Sequence, residues 1–266
     1  MERTSEKIMK KVFICGKGGS GKTTITCLIA RVLAGEMKTM VVDGDGSNPR
    51  GISAMLGIEK LPPPLIGFFG GTEKVGCPVD VPGPLTRIGD DTPIIEHPLT
   101  LKEISKYIVR AGNIVFARSG KITGLGGGCT GPMGKVIRDL AIKGEGVVLV
   151  DSEAGTEFFG RRIPENADGV ILIIDPTFES VTIAQYVNQF CQEMNIKKLW
   201  FILNKIRTTE NIVRRELGKI EDKVVGVLHC HPELETAGLG RTRVEQCEGA
   251  FQEIKKIAKK IKRELN

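Results

Sequence analysis

The stretch CGKGGSGKTT, Cys15–Thr24, decides how the rest of the chain is interpreted. Its residues Gly16–Thr23 fit the pattern G-x-x-x-x-G-K-[ST]. The apolar run KVFICG precedes this pattern, and a segment with helical spacing, KTTITCLIARVLAGE, follows it. A strand, a glycine-rich loop and a helix in this order are the context that a phosphate-binding loop requires. The sequence therefore predicts a site for a nucleoside triphosphate.

Each part of this loop has a chemical role. Glycines allow backbone N–H groups to converge on phosphate oxygens, and the N-terminus of the next helix adds partial positive charge. Lys22 would reach the β- and γ-phosphates, and the Thr23 hydroxyl would ligate Mg²⁺. We therefore expect ATP and Mg²⁺ as cofactors. The phosphate-binding residues would be Gly18, Gly19, Ser20, Gly21, Lys22, Thr23 and Thr24.

Carboxylates follow two of the predicted strands. VVDGD contains Asp43 and Asp45, and VVLVDSEAG contains Asp151. Ligands of open α/β folds bind at the carboxyl ends of strands, where a carboxylate can hold magnesium or orient water. A lone aspartate there is often a helix N-cap, but this group favours a magnesium site of Thr23, Asp43 and Asp151. Gly155, at D-x-x-x-G, would offer a backbone N–H that senses the γ-phosphate.

A later apolar run, FILNK, ends in Asn204 and Lys205. An asparagine side chain offers both a donor and an acceptor, which suits a purine edge. Capping of a helix is the alternative role for Asn204. We expect both residues to be part of the nucleotide site.

Apolar runs without alternation recur along the chain, separated by helical patterns, as in parallel strands covered on both faces. The predicted strands are KVFICG, KTMVVD, GNIVFAR, GVVLVD, GVILIID, KLWFILN and KVVGVL. The predicted fold class is α/β, a doubly wound and mainly parallel sheet with helices on both faces, in a single domain over residues 1–266. A Pro- and Gly-rich excursion at about 60–98 breaks this rhythm, as either a surface excursion with little regular structure or a functional flap or partner surface.

Composition narrows the class of protein. Apolar residues make up 41% of the 266 residues, the net charge is +6, and no apolar run approaches the length of a membrane span. The seven cysteines are scattered, and the N-terminus lacks the apolar core of a secretory leader. We therefore expect a cytoplasmic protein with reduced thiols. The net charge is compatible with nucleic acid, anionic lipid or an acidic protein and selects none of them, but we expect neither nucleic acid nor a membrane as its partner.

The motifs KGGSGKTT, VVDGD, VLVDSEAG, LNK and GVLHCHPELETA occur together and in this order. In this respect the sequence resembles the deviant Walker A P-loop ATPases of the MinD/ParA and nitrogenase iron protein class (SIMIBI-like). The resemblance implies a homodimer in which Lys17 crosses the interface toward the partner's ATP, as an arginine finger does elsewhere. It also implies that Asp43 lies near the magnesium, and that Asn204 and the backbone around Pro232 contact adenine. The catalytic residues that it implies are Lys17, Lys22 and the water-positioning Asp45.

Cys129 lies in the glycine-rich turn GLGGGCTGPMGKVIRDL. A thiol at a helix N-terminus is accessible and partly ionised, although free cysteines are often inert core residues. The turn resembles the region of the nitrogenase iron protein that holds a cluster-ligating cysteine. It also resembles that region of the carbon monoxide dehydrogenase maturation ATPases (CooC type), where a C-x-C pair binds metal between subunits, and DSEAGTEFFGR favours this second family. The resemblance implies that Cys129 binds Ni²⁺, Zn²⁺ or a [4Fe-4S] cluster at the dimer interface.

The sequence departs from both metal-binding patterns. The position of the second cysteine in C-x-C is Gly131, and GTEFFGRR lacks the second ligand of the iron protein. One Cys129 per chain would supply two thiolates, whereas a soft metal site usually has about four ligands. Cys77, in the excursion, is a candidate for the missing ligand. Cys230 between His229 and His231 is another metal candidate, although the segment is also expected to contact adenine.

The C-terminal segment FQEIKKIAKKIKREL has apolar residues at helical spacing opposite a lysine face. A last helix packed on the sheet is favoured over a membrane-surface helix. The sequence thus predicts a homodimeric Mg-ATP-dependent ATPase switch that assists metal insertion into a client metalloenzyme such as nickel-dependent carbon monoxide dehydrogenase. An ATP-dependent iron–sulfur reductase and a MinD/ParA-type positioning ATPase are the alternatives.

Overall fold

A computed structural model describes residues 7–45, 51–87, 90–93, 97–120, 129–238 and 244–265. The glycine-rich run 121–128 before Cys129 lies outside these residues. The strands are β1 Lys10–Gly16, β2 Thr39–Asp43, β3 Thr86–Arg87, β4 Asp90–Pro93, β5 Val109–Ala111, β6 Ile114–Arg118, β7 Val147–Asp151, β8 Gly169–Ile174, β9 Leu199–Ile206 and β10 Val224–His229. The α-helices are α1 Lys22–Leu33, α2 Gly51–Leu56, α3 Gly131–Asp139, α4 Glu157–Gly160, α5 Phe178–Glu193, α6 Glu210–Leu217, α7 Pro232–Gly238 and α8 Glu248–Leu265. Short 3₁₀ helices are Leu65–Phe69, Ser105–Tyr107, Ile163–Asn166, Gly218–Lys223 and Val244–Gln246.

Eight of the strands form one sheet in the order β10-β9-β8-β1-β7-β2-β6-β5. All seven strands predicted from the sequence belong to this sheet and pair in parallel, which confirms the predicted fold class. The pattern did not reveal β5, a strand of three residues that pairs antiparallel with β6 at the edge of the sheet. β3 and β4 form a separate antiparallel hairpin.

The register of the central strands brings the predicted site residues together. Asp43 is the partner of Asp151 across β2 and β7, and Ile14 of β1 is the partner of Asp151 on the other side. The carboxyl ends of these parallel strands therefore meet at one edge, directly below the loop that follows β1.

Helices cover both faces of the sheet, as a doubly wound fold requires. Successive residues of β1 point to opposite faces. Phe13 belongs to the core that includes apolar residues of α3 and α5, whereas Ile14 belongs to the core that includes apolar residues of α1 and α8. β1 is therefore buried from both sides, which explains its continuous apolar sequence.

The Pro/Gly-rich excursion is packed against the protein. Among its described residues, buried apolar side chains include Leu65, Ile66, Phe69, Val75 and Leu85. Helix α3 binds its backbone, since Lys135 donates to the Val81 carbonyl (2.8 Å), Arg138 donates to the Pro82 carbonyl (3.2 Å), and the Leu85 N–H donates to Asp139 (3.1 Å). The described part of this segment therefore has little regular secondary structure but is anchored to α3.

The C-terminal helix α8 is part of the core, as the sequence favoured. Ile254, Ile257 and Ile261 are buried on the sheet side, while Lys256 is exposed. The Trp200 indole N–H donates to Glu264 (2.7 Å) and fixes the end of the helix. In the described parts of the chain, no helix combines the length and the apolar character that a membrane crossing needs.

We expect Ile257→Ala to lower the free energy of unfolding by about 2–5 kcal/mol, because it leaves a cavity between α8 and the sheet. Lys256→Gln is the matched control on the exposed face and should change it by less than about 0.5 kcal/mol. Urea denaturation of both variants measures the difference. Equal effects would contradict the assignment of α8 to the core.

Candidate nucleotide site

The loop between β1 and α1 is braced by the end of β9. The Asn204 amide donates to the Ser20 carbonyl (2.6 Å), and the Lys205 ammonium donates to the Gly19 carbonyl (2.7 Å). Gly21 has φ of 98°, and a Cβ there would lie 2.4 Å from Asn204 Nδ2. Only glycine fits this close approach in a left-handed conformation. The second glycine of the motif is thus required by the brace as well as by phosphate binding.

Lys22 and Thr23, the first residues of α1, are already tied to their surroundings. The Lys22 ammonium is largely buried and donates to the Lys17 carbonyl (3.1 Å), so the side chain folds back over the loop. The Thr23 hydroxyl donates to Asp151 Oδ2 (2.7 Å). The structure therefore joins the loop to the predicted Walker-B carboxylate.

Asp151 is fully enclosed at the end of β7. The pKa of Asp151 is raised to about 7. Burial is the largest cause, the nearby Asp43 carboxylate also raises the pKa, and the hydrogen bond from Thr23 lowers it. A carboxylate that is costly to ionise in this position would be stabilised by a cation.

The residues at this edge fit Mg²⁺. Asp43 and Asp151 are adjacent in register, and Thr23 is hydrogen-bonded to Asp151, so hard oxygen donors converge at one point. These three residues would hold the ion, which would supply positive charge to the phosphate oxygens. Asp45 is half-buried and faces the adjoining cavity.

A cavity of about 670 Å³ opens beside the loop, within the range of small-molecule sites. Its phosphate end is lined by Gly18, Gly19, Gly21, Lys22, Thr23, Thr24, Asp45 and Ala154. Its other end is lined by Asn204, Lys205, Arg207, Leu228, His229, Cys230, His231, Leu234 and Glu235. Residues on both sides of Pro232 line the cavity, although Pro232 itself does not.

Asn204 and Gly155 were both predicted to contact the nucleotide. Asn204 lines the cavity, but its amide is already used by Ser20, so contact with adenine stays a prediction. The Gly155 N–H donates to the Gly16 carbonyl (3.3 Å), which places this glycine at the base of the loop. Ser20 is buried, and its hydroxyl oxygen has no hydrogen-bond partner in the described structure.

Lys17 does not line the cavity. Its ammonium lies 3.2 Å from Asp175 Oδ2 and 3.9 Å from Glu179 Oε2. Thr177 donates to Asp175 (2.7 Å), and Ser180 donates to it as well. Burial would raise the pKa of Asp175, but the hydrogen bonds from Ser180, Thr177 and Lys17 outweigh it and lower the pKa. We refer to Asp175 with Thr177 and Ser180 as the Lys17 clamp.

Sequence reasoning missed Asp175. The residue follows the apolar run GVILII and starts the connection to α5, which is the same kind of position that singled out Asp43 and Asp151. The pattern thus contained the signal. It could not indicate that the partner of this carboxylate is a lysine of the loop.

The histidines around Cys230 bind a carboxylate of α8. His229 Nδ1 lies 2.7 Å from Glu253 Oε1, and His231 Nε2 lies 3.0 Å from Glu253 Oε2. Among the described residues, no group of three or more His, Cys, Asp or Glu side chains is arranged to hold a metal ion. This segment therefore closes the cavity, and the geometry does not support the metal alternative for Cys230.

The cysteines fall into two groups. Cys15, Cys27 and Cys191 are buried, as their strand and helix patterns predicted, and Cys247 is buried too. Cys129 is exposed and precedes α3, while Cys77 is half-buried and lies beside it. These two are the predicted metal ligands that the fold brings together.

Comparison with known proteins identifies the family. The model of the CobQ/CobB/MinD/ParA nucleotide-binding domain matches residues 11–242. An uncharacterized ATP-binding protein of Methanocaldococcus jannaschii is 34% identical over 93% of this chain and 97% of its own length. The carbon monoxide dehydrogenase accessory protein CooC of Rhodospirillum rubrum is 27% identical over 76% of each chain. The septum site-determining protein MinD of Pyrococcus horikoshii shares the fold, with a TM-score of 0.67 and 16% identity over 95% of this chain and 96% of that protein.

The chain belongs to the CobQ/CobB/MinD/ParA family. It is an ATP-binding P-loop ATPase of the MinD/ParA class, as the sequence predicted.

We expect Lys22→Ala to weaken ATP binding by at least about tenfold, because a hydrogen bond to a charged group contributes about 1.5–3 kcal/mol. Lys197→Ala is the control, since Lys197 is exposed and precedes β9 at the opposite edge of the sheet. Titration of a fluorescent ATP analogue measures both. Wild-type affinity in the Lys22 variant would refute the assignment of the phosphate loop.

Proposed function

We propose that this ATPase is a homodimeric switch that closes on Mg-ATP and assists the insertion of a metal into a client metalloenzyme. The observation that carries the switch is the position of Lys17. Its ammonium is paired with Asp175 and lies outside the lining of the nucleotide cavity. This position supports a role for its charge in the site of a second chain.

The remaining chemistry belongs to each chain. The loop N–H groups and Lys22 bind the phosphates, and Asp45 orients the attacking water at the mouth of the cavity. Thr23, Asp43 and Asp151 would hold magnesium, which would supply positive charge to the phosphates. Lys17 of the partner adds positive charge when it leaves its clamp. Hydrolysis therefore depends on dimer formation.

Metalloenzyme maturation is supported by the CooC relative and by the exposed Cys129. Carbon monoxide dehydrogenase is the client that this relative's name suggests. Nickel is the metal that the resemblance to the maturation ATPases implies. An iron–sulfur reductase has less support, because no cysteine occurs in the segment after β7 where the iron protein has its second ligand. A positioning ATPase is the second candidate, favoured by the fold shared with MinD.

Anaerobic purification separates these functions. A colourless protein that takes up nickel or zinc in an ATP-dependent way supports maturation, and a broad brown absorption supports the reductase. Sedimentation with lipid vesicles supports the positioning ATPase. Light scattering with a non-hydrolysable ATP analogue tests the dimer directly, since a protein that stays monomeric with bound nucleotide contradicts the switch.

We expect Lys17→Gln to keep ATP binding within about threefold of the wild type and to lose hydrolysis and ATP-driven dimerisation, because the side chain acts in trans. Mixing Lys17→Gln chains with Asp45→Ala chains tests this. In the mixed dimer the ATP of the first chain meets its own Asp45 and the intact Lys17 of the second. Recovered hydrolysis supports action across the interface.

Each variant alone is the control for this mixture and should hydrolyse little ATP. A mixed dimer that forms normally but stays inactive would contradict the role in trans.

A further inference from the structure

The excursion places a second thiol beside Cys129. A Cβ on Gly131 would lie 2.8 Å from Cys77 Sγ and 3.2 Å from Cys129 Sγ. The two sulfur atoms are therefore within roughly 6 Å of each other. Two sulfurs that ligate one tetrahedral zinc ion are about 3.8 Å apart, because each Zn–S bond measures about 2.3 Å. The value of about 6 Å is an upper bound, so a sulfur–sulfur separation of about 3.8 Å is compatible with these distances.

The missing side chain of Gly131 makes this approach possible. Any larger residue there would occupy the space against which the Cys77 sulfur lies. Cys77 thus occupies the place where a cysteine at position 131 would put its side chain. The Cys77 thiol therefore takes the place of the thiol that a cysteine at position 131 would supply.

The backbone of the excursion holds Cys77 in this place. The Cys77 carbonyl accepts hydrogen bonds from the N–H groups of Asp80 (3.1 Å) and Val81 (2.8 Å). The Val81 carbonyl in turn accepts from Lys135 of α3 (2.8 Å). The turn that carries Cys77 is therefore tied to the same helix that Cys129 precedes.

Positive charge lies near the two sulfurs. Helix α3 begins at Gly131, so the partial positive charge of its N-terminus lies at this point. The Lys135 ammonium adds a full charge nearby. Burial lowers the pKa of Lys135, and Cys77 is among the groups that raise it.

We propose that Cys77 and Cys129 of one chain form a two-thiolate site for a soft metal ion. The proposal rests on the proposed dimeric switch in one respect: two copies meeting near Cys129 would combine into a four-thiolate site, the number that a tetrahedral soft metal takes. A single chain would bind the ion more weakly, with two thiolates.

A hydrogen-bonded link joins this site to the nucleotide cavity. Thr130, between Cys129 and Gly131, donates to Glu153 (3.0 Å), which is also ion-paired with Arg161. The next residue, Ala154, lines the cavity. Nucleotide binding that shifts this segment would therefore move the thiols, and metal affinity would respond to ATP.

Thr130→Val should keep metal binding in the absence of nucleotide and lose its response to the ATP analogue, because the hydrogen bond to Glu153 is gone. Thr130→Ser keeps the hydroxyl and should respond like the wild type. A full response in Thr130→Val would contradict the link.

The site itself is tested with Zn²⁺ alone, on reduced full-length protein under anaerobic conditions, in competition with a chromogenic chelator. We expect Cys77→Ser and Cys129→Ser each to weaken binding by at least about tenfold, since even loss of an outer-shell partner of a metal site costs that much. Cys230→Ser, a control for an accessible thiol elsewhere, should bind zinc like the wild type. Wild-type affinity in Cys77→Ser would overturn the proposal.

A relocated thiol gives an independent test. Cys77→Ala combined with Gly131→Cys removes the sulfur from the excursion and restores one from the helix, and it should recover most of the zinc affinity. Failure of this double variant, with an unchanged circular dichroism spectrum, would count against the two-thiolate geometry.

Binding by the Lys17→Gln variant separates the site from the switch. If this protein stays monomeric with ATP and still binds zinc through Cys77, the site stands without regard to dimerisation. If the wild type dimerises with ATP but zinc binding ignores Cys77, the switch stands and the site falls.

Discussion

Parallel pairing of β1 with β7 on one side and β8 on the other is the constraint on which the nucleotide site depends. It brings the carboxyl ends of these three strands to one edge of the sheet, so the residues there lie close together. The phosphate loop begins at the end of β1, Asp151 is the last residue of β7, and Asp175 follows β8. Continuous apolar sequence keeps the strands buried on both faces, so the edge has little freedom to move.

Hydrogen bonds within the chain hold the phosphate loop in its conformation. Backbone carbonyls of the loop accept hydrogen bonds from Asn204, Lys205 and Lys22, and the Gly155 N–H binds at its base. Folding of the chain therefore already orders this glycine-rich segment, and nucleotide binding does not have to compensate for its loss of conformational entropy. Lys17 is the exception, because its partner Asp175 holds it away from the cavity.

Seven strands of the sheet were predictable because each leaves its own apolar signature, and α1 and α8 were predictable because their apolar spacing is regular. Other features depend on contacts that no local pattern encodes. β5 has only three residues and pairs at an edge. The clamp on Lys17 joins residues far apart in sequence, and so does the hydrogen bond from the Asn204 amide to Ser20. The packing of the excursion also depends on α3, whose buried Lys135, Arg138 and Asp139 look like an exposed polar face in the sequence.

These three side chains bind the excursion through its main chain. Their partners are the carbonyls of Val81, Pro82 and Gly83 and the N–H of Leu85, groups that almost every residue type possesses. Most substitutions between residues 78 and 84 would therefore preserve the bonds, and relatives can drift in this segment while the turn before it stays in register. Sequence change in the excursion therefore says little about whether its anchoring is kept, whereas a change at position 135, 138 or 139 would remove a side chain that holds its main chain.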